Sequence, residues 1–309
     1  MSTFPNIYTN APSYWPKLEF SLFLIGQILS IPCYIFVFYH ILCDRTARQS
    51  LHNHSIFILL TYDFLIVVID LSLTQDYTRL GYISLFHPAV CLIWQFTDFG
   101  IWYGGISMML WISIERHVLV FHPHFLRTVR GRIFIHYIPL FISAVYTPGL
   151  YFVLIFIIPC NRVYSMRTIR CGRNCYTNVI ADWFVLYDTI TNYIVPVILI
   201  AVFSGALFIR FLRQKQRLSR SVTWRQCRKM LLQLLFVSLT YLIFDLPYVI
   251  ITIVRRSGYP SFANRIITLF ITRLTLVPSI ILPYAILLAL PELKQKLSDL
   301  RFWKRDRRV

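Results

Sequence analysis

The stretch Trp-Ile-Ser-Ile-Glu-Arg-His, residues 111–117, closes a long apolar segment in which Cys91 stands 25 residues before Arg116. In an α-helix this separation corresponds to about 37 Å, the thickness of a membrane with its headgroups. A cysteine that can form a disulfide therefore stands at one end of a helix, and the acid–arginine pair Glu115-Arg116 stands at the other end. The stretch predicts a helix that crosses a bilayer from one face to the other.

The composition also indicates a membrane protein. Of the 309 residues, 57% are hydrophobic and 14% are charged, and the mean hydropathy is +0.61. A soluble domain would carry roughly 25% charged residues. We therefore predict an all-α membrane protein, a seven-transmembrane helix bundle. The predicted spans are the seven apolar blocks at residues 18–42, 54–74, 88–115, 133–158, 181–209, 230–254 and 264–290.

The net charge of +18 could suggest nucleic-acid binding, but the placement of the charges argues against it. With the N-terminus outside, the four inward-facing segments hold 21 of the 31 lysines and arginines. The positive-inside rule then favours an extracellular N-terminus and a cytosolic C-terminus. We expect the basic residues to face the lipid bilayer and an acidic cytosolic partner, and we expect no nucleic-acid partner.

The third block carries the residues that suggest a family. Cys91, with Glu115, Arg116 and His117 at the far end of the helix, resembles the third span of rhodopsin-like (class A) G-protein-coupled receptors, where the motif usually ends in tyrosine. The resemblance implies a divergent member of that family. It further implies a plasma-membrane receptor that binds an extracellular small-molecule or peptide ligand within the bundle and activates a heterotrimeric G protein.

Three further spans resemble the family at their prolines. Pro196, Pro247 and Pro283 stand where the family kinks its fifth, sixth and seventh helices. Two residues depart from the pattern: Asp245 replaces the tryptophan of the sixth-span motif, and Leu282 replaces the asparagine before the seventh-span proline.

The resemblance implies three parts of the chain. Residues 1–17 would form a short extracellular N-terminus, and residues 18–290 would form the seven-helix receptor domain. Residues 291–309 would form a cytosolic amphipathic helix with a basic tail. Pro291 and Glu292 suit the first turn of that helix.

The resemblance places a ligand pocket around Asp98. This residue lies 18 positions before Arg116, where monoamine receptors carry the aspartate that pairs with the ligand's ammonium. Trp94 and Trp102 lie four residues to either side and would flank Asp98 on one helix face, offering cation–π contacts. Arg273 faces the bundle at a similar depth. An ion pair with Arg273, a ligand ammonium and a plain polar contact all remain open for Asp98.

Two more aspartates complete the predicted pocket. Asp188 shares a helix face with Asn192 and lines the pocket or reaches up to the arginines of the second outer loop. Asp245 lies beneath the pocket, as a pocket residue or as a protonated, hydrogen-bonded side chain. Asp63 resembles the family's buried carboxylate that can hold sodium, but Gly105 and Leu282 replace its usual polar neighbours.

At the cytosolic end, the resemblance implies a switch. Glu115 and Arg116 would pair in the resting state, and activation would free Arg116 to meet the G protein. Single histidines such as His136 are interpreted as interfacial residues and not as metal ligands, so no metal site is predicted.

Four of the seven cysteines fall at or beyond the outer face, where disulfides persist. The family ties the top of the third span to the second outer loop. We therefore expect Cys91 to pair with Cys175, and Cys160 with Cys171. The pairing Cys91–Cys171 remains open as an alternative.

Two other function classes were considered. An ion- or proton-conducting protein could use the intramembrane aspartates, and voltage clamp would distinguish it from a receptor. An intramembrane enzyme would need a Gly-x-Asp or His-x-x-x-His pattern, which is absent. We expect no enzymatic activity and no catalytic residue. No lysine lies in any predicted span to form a retinal Schiff base, so no cofactor is predicted either.

Overall fold

The computed structural model of the chain describes residues 15–85, 87–217, 222–259, 261–263 and 265–289. Within these residues the chain forms seven long helices and no strand, which confirms the predicted fold class. The helices are α1 (Trp15–Cys43), α2 (Leu51–Leu80), α3 (residues 88–121), α4 (Val129–Ile157), α5 (residues 182–217), α6 (Val222–Arg256) and α7 (Arg265–Leu274 continued by Val277–Ala289). The short helix Arg45–Gln49 joins α1 to α2.

Each predicted apolar block coincides with one helix, and α2, α3, α5 and α6 extend several residues beyond their blocks. The predicted amphipathic helix at residues 291–309 lies outside the described residues, as does the predicted N-terminal segment up to residue 14. The end of the bundle that carries Cys91 is called the outer end, and the end that carries Arg116 is called the inner end.

Six of the seven helices, all except α3, are long and apolar enough to cross a membrane by themselves. Helix α3 lies in the middle of the bundle, where it packs against α2, α4, α5 and α6. Its Trp94, Met108 and Met109 are fully buried. Because α3 faces other helices and little lipid, it can carry more polar residues than a lipid-exposed span. The central helix is therefore the one suited to hold functional polar groups.

Polar side chains tie the outer helices to the bundle. The amide of Gln27 on α1 donates to the carbonyl of Val67 on α2 at 2.8 Å. The hydroxyl of Tyr34 donates to the carbonyl of Ser279 on α7 at 2.5 Å. Tyr62 on α2 donates to the carbonyl of Ala144 on α4. Such bonds between helices persist in a bilayer because lipid offers the groups no competing partner.

The helices are interrupted by π-helical turns, in which one extra residue per turn rotates the following side chains about the axis. Within the described residues the prolines 247 and 283 lie inside α6 and α7, and Pro196 follows a π turn of α5. The π turns are Ile66–Asp70, Thr97–Ile101, Ile133–Tyr137, Val153–Ile157 and Ile190–Ile194.

Two disulfides fasten the outer loop between α4 and α5. Cys91 pairs with Cys171 at a Cα–Cα distance of 5.6 Å, and Cys160 pairs with Cys175 at 5.9 Å. The favoured pairing of Cys91 with Cys175 and of Cys160 with Cys171 is therefore wrong, and the alternative for Cys91 is the one formed. The backbone explains the difference. Arg170 and Cys171 both have positive φ, 59° and 58°, so the chain reverses at Cys171 and presents it to α3.

The crossing of α2, α3 and α4 leads to a prediction about packing. A Cβ atom on Gly104 of α3 would lie 3.0 Å from the Tyr62 ring and 3.2 Å from Pro148, whereas a Cβ atom on Gly149 would meet nothing within 4 Å. We expect Gly104→Val to lower the free energy of unfolding by about 1–3 kcal/mol through overpacking. The matched control Gly149→Val should have little effect. Thermal melting of both purified variants in detergent tests this, and equal midpoints would contradict it.

Candidate functional site

The outer half of the bundle contains an ion pair between α3 and the loop that follows α4. Arg170 Nε lies 2.8 Å from Asp98 Oδ2. The Arg170 guanidinium lies over the Phe99 ring, 5.7 Å from its centroid, at a distance that permits cation–π attraction. The amide of Gln95 donates to the carbonyl of Arg170 at 3.0 Å, so α3 holds both the backbone and the side chain of this loop residue.

Of the alternatives left open for Asp98, the ion pair with Arg273 is not the one formed. Arg273 Nη1 instead lies 2.8 Å from Glu19 Oε2, on α1. Glu19 stands at the outer end of the first predicted span and is not among the predicted site residues. The loop arginine reaches Asp98 because its neighbour Cys171 is bonded to Cys91, seven residues before Asp98 on the same helix.

Arg170 lies outside the helical spans, and its charge is favoured by its surroundings. Burial by itself lowers the pKa of the guanidinium, but the carboxylates of Asp98 and Asp70 outweigh burial and raise that pKa above its ordinary value. Arg170 is therefore a permanent cation placed within the outer half of the bundle.

Trp94 binds Asp70 and not Asp98, the aspartate that it was predicted to flank. Its indole N–H donates to Asp70 Oδ1 at 2.6 Å, and Thr74 approaches the same oxygen at 3.4 Å. Trp94 is fully buried in a small cluster that includes the Cys91–Cys171 disulfide. The predicted pair of indoles around Asp98 is therefore not formed, and Phe99 faces the cation instead.

A second polar group lies between α4 and α5. The Tyr151 hydroxyl donates to Asp188 Oδ2 at 2.7 Å, and the Asn192 amide donates to Asp188 Oδ1 at 2.7 Å. The predicted shared face of Asp188 and Asn192 is confirmed. The interpretation in which Asp188 reaches the loop arginines is wrong, because both of its oxygens bind neighbours within the bundle. Trp102 packs against Tyr193, with ring centroids 5.2 Å apart.

Deeper in the bundle, Asp63 accepts hydrogen bonds from Tyr241 to Oδ2 and from Ser279 to Oδ1, both at 2.7 Å. Both oxygens of the carboxylate that resembles the family's sodium-holding residue are therefore hydrogen-bonded to these hydroxyls. Asp245 is buried, and its backbone carbonyl accepts from Tyr193 at 3.1 Å. In the described part of the chain its Oδ1 has no hydrogen-bond partner, so the predicted hydrogen-bonded side chain is not formed at that oxygen. Asp63 and Asp245 thus lie below the outer polar groups.

Three of these polar residues, Asp70, Asp98 and Asn192, lie in π-helical turns. Such turns are frequent at functional sites because they displace a side chain from its regular helical direction. Sequence periodicity gives no signal for them. The ligand-contacting roles of Asp98 and Asn192 stay predictions. Across the described residues, no group of three or more side chains is arranged to hold a metal ion.

At the inner end, Glu115 is bound by two other helices. His136 Nδ1 on α4 lies 2.5 Å from Glu115 Oε1, and Ser55 on α2 donates to Glu115 Oε2 at 2.6 Å. The predicted resting pair of Glu115 with Arg116 is therefore wrong, since both carboxylate oxygens are engaged elsewhere. His136, which was interpreted as an interfacial residue, is buried between helices at the inner end, with a side chain only 1% exposed.

The remaining switch residues face the core of the inner end. Arg116 is buried and lines a small cavity with Ile56, Met109 and Leu282. His117 Nε2 donates to the carbonyl of Phe203 on α5 at 2.8 Å, which links α3 to α5.

The Trp94–Asp70 bond leads to a stability prediction. Trp94→Phe should lower the free energy of unfolding by about 1–3 kcal/mol, because Asp70 loses a hydrogen bond in a buried place. The matched control is Trp183→Phe, since Trp183 is 69% exposed on α5. Thermal melting in detergent is the measurement, and equal loss in both variants would count against the role of the indole N–H.

Comparisons with known proteins agree with this fold. The family described as 7 transmembrane receptor (rhodopsin family) matches residues 33–285. No curated protein sequence matches the chain. Among solved structures, the crystal structure of squid rhodopsin is similar with a TM-score of 0.69 and 15% sequence identity, covering 98% of this chain and 90% of that chain. These findings confirm the resemblance seen at the third span. The chain belongs to the rhodopsin family of seven-transmembrane receptors.

Proposed function

We propose that this membrane protein is a plasma-membrane receptor with an extracellular N-terminus, which binds a small-molecule or peptide ligand in its outer half and activates a heterotrimeric G protein. Family membership supports the general receptor role. The observation that carries the specific proposal is the ion pair between Arg170 of the outer loop and Asp98 of the central helix.

The outer half offers two polar subsites for a ligand. The first is the Asp98 carboxylate with Arg170, and the second is the Asp188 carboxylate with Tyr151 and Asn192. A small number of placed polar groups among aromatic side chains is typical of ligand sites.

Aromatic rings connect these subsites. Phe99, which faces Arg170, has its ring centroid 6.2 Å from that of Tyr103. Tyr103 stacks on Tyr151 at 5.4 Å, and Tyr151 binds Asp188. A ligand with a cationic end and an apolar body matches this arrangement, because its cation can face a carboxylate while its body lies against the aromatic rings.

Arg170 occupies the place of a ligand cation. Its side chain is 27% exposed, whereas that of Asp98 is 10% exposed, so a ligand meets the arginine before the aspartate. A cationic ligand must therefore compete with Arg170 for Asp98. A carboxylate on the same ligand could bind the displaced guanidinium.

The inner end supports the signalling part of the proposal. Asp98 and Arg116 lie on the same central helix, 18 residues apart. At about 1.5 Å per residue this separates them by roughly 27 Å along one rigid element. A small shift of α3 at Asp98 can thus reach the residues that would face the G protein. The conductor interpretation is not proposed, because the acids bind separate partners and form no continuous file: Asp98 binds Arg170, and Asp63 binds Tyr241 and Ser279.

A panel of amines and peptides, applied to cells that express the chain with a promiscuous G protein, tests the proposal. Asp98→Asn should raise the half-maximal concentration of a cationic agonist at least about tenfold, because the agonist loses its counter-ion. Arg170→Gln should lower that concentration, because the competing cation is gone. The matched control Arg167→Gln changes an exposed arginine of the same loop and should leave the concentration unchanged.

Receptor number at the cell surface must be equal in all four cell lines. An agonist response that survives Asp98→Asn unaltered would refute the placement of the ligand. A chain that activates no G protein with any compound or without one would refute the receptor proposal itself.

A further inference from the structure

The Glu115 carboxylate joins three helices at the inner end of the bundle. His136 Nδ1 of α4 lies 2.5 Å from Glu115 Oε1, and Ser55 of α2 donates to Oε2 at 2.6 Å. Glu115 and His136 are 3% and 1% exposed. A carboxylate this deeply buried needs a counter-charge, because burial in a low-dielectric environment disfavours its ionised form.

Polar groups face both ring nitrogens of His136. His54 Nε2 faces the carbonyl of Arg48 at 2.9 Å, and a carbonyl can only accept. A neutral His54 therefore carries its proton on Nε2 and presents Nδ1 as an acceptor. That Nδ1 lies 3.5 Å from His136 Nε2, which must then be the donor. His136 Nδ1 faces the Glu115 carboxylate, so His136 links Glu115 of α3 to His54 of α2.

We propose that His136 is a positioning residue of the cytosolic switch: it balances the charge of Glu115 and keeps that carboxylate turned toward α2 and α4, away from the neighbouring Arg116. The proposal rests on the proposed function, because it assumes that Arg116 meets the G protein. It adds that α4, through His136, sets which partner Glu115 takes.

The loss of His136 has a consequence with a definite sign. Without the imidazole, Glu115 is a buried anion whose nearest cation along the chain is Arg116. Pairing with Glu115 would hold Arg116 back from the G protein. His136→Gln should therefore reduce receptor-stimulated nucleotide exchange, although glutamine retains a hydrogen-bond donor. The double variant Glu115→Gln with His136→Gln has no anion left to recruit Arg116, so it should recover exchange.

The experiment measures binding of a non-hydrolysable GTP analogue to purified heterotrimeric G proteins in membranes that contain equal amounts of full-length receptor, without ligand. We expect His136→Gln to lower the rate roughly three- to tenfold and the double variant to restore it to within about twofold of the unmodified chain. The matched control His87→Gln changes an exposed histidine at the opposite end of α3 and should leave the rate unchanged. Rescue separates this role from a purely structural one, because two destabilising changes would not restore activity.

Thermal melting of the unmodified chain, Glu115→Gln, His136→Gln and the double variant gives a second readout that does not need a G protein. Glu115→Gln and His136→Gln should each lower the melting midpoint, and the double variant should lower it by less than the sum of the two. Additive midpoints, or a double variant no more active than His136→Gln alone, would overturn the inference. If the unmodified chain stimulates no G protein, the proposed function fails. The melting cycle then decides by itself whether His136 balances Glu115.

Discussion

A charged side chain within a helix bundle must have a partner, and this constraint governs the arrangement around the central helix. Both acids of α3 that lie within the described bundle are bound by groups from other elements: Asp98 by Arg170 of the outer loop, and Glu115 by His136 of α4 and Ser55 of α2. Each contact fixes the rotation of α3 about its axis at one end. The helix is thus held by polar contacts at two depths, with apolar packing of Met108 and Met109 between them.

Much of the fold could be predicted because its determinants are local. A membrane span is a run of apolar residues, and a run can be read without knowing what it packs against. The third-span motif could be recognised for the same reason, since Cys91 and Glu115-Arg116-His117 lie on one continuous helix. Helix α3, the one of the seven that falls outside the six most clearly apolar spans, is the span that the motif identifies.

The partners of the charged residues could not be predicted, because a partner depends on rotation about the helix axis as well as on depth. Asp98 and Arg273 lie at similar depths by residue count, yet Arg273 binds Glu19 instead. The π turn Thr97–Ile101 contains Asp98, so the rule that residues four apart share a face fails there. The approach of Arg170 depends on positive φ angles at Arg170 and Cys171, which neither residue type favours. The same backbone angles explain why Cys91 pairs with Cys171, the alternative, and not with the favoured Cys175.

The position of Arg170 in the chain also bears on how the protein is made. Asp98 belongs to the third helix, whereas its counter-ion lies beyond the fourth, so the ribosome delivers the aspartate to the translocon well before the arginine exists. A lone carboxylate costs about 3 kcal/mol on insertion scales at the bilayer centre and less toward either face, and the apolar residues of the nascent segment must outweigh this cost. The arginine can reach Asp98 only after the fourth helix has inserted and the loop has folded back over the bundle. Assembly of this protein therefore includes a late step in which a loop side chain moves from water into an assembled bundle.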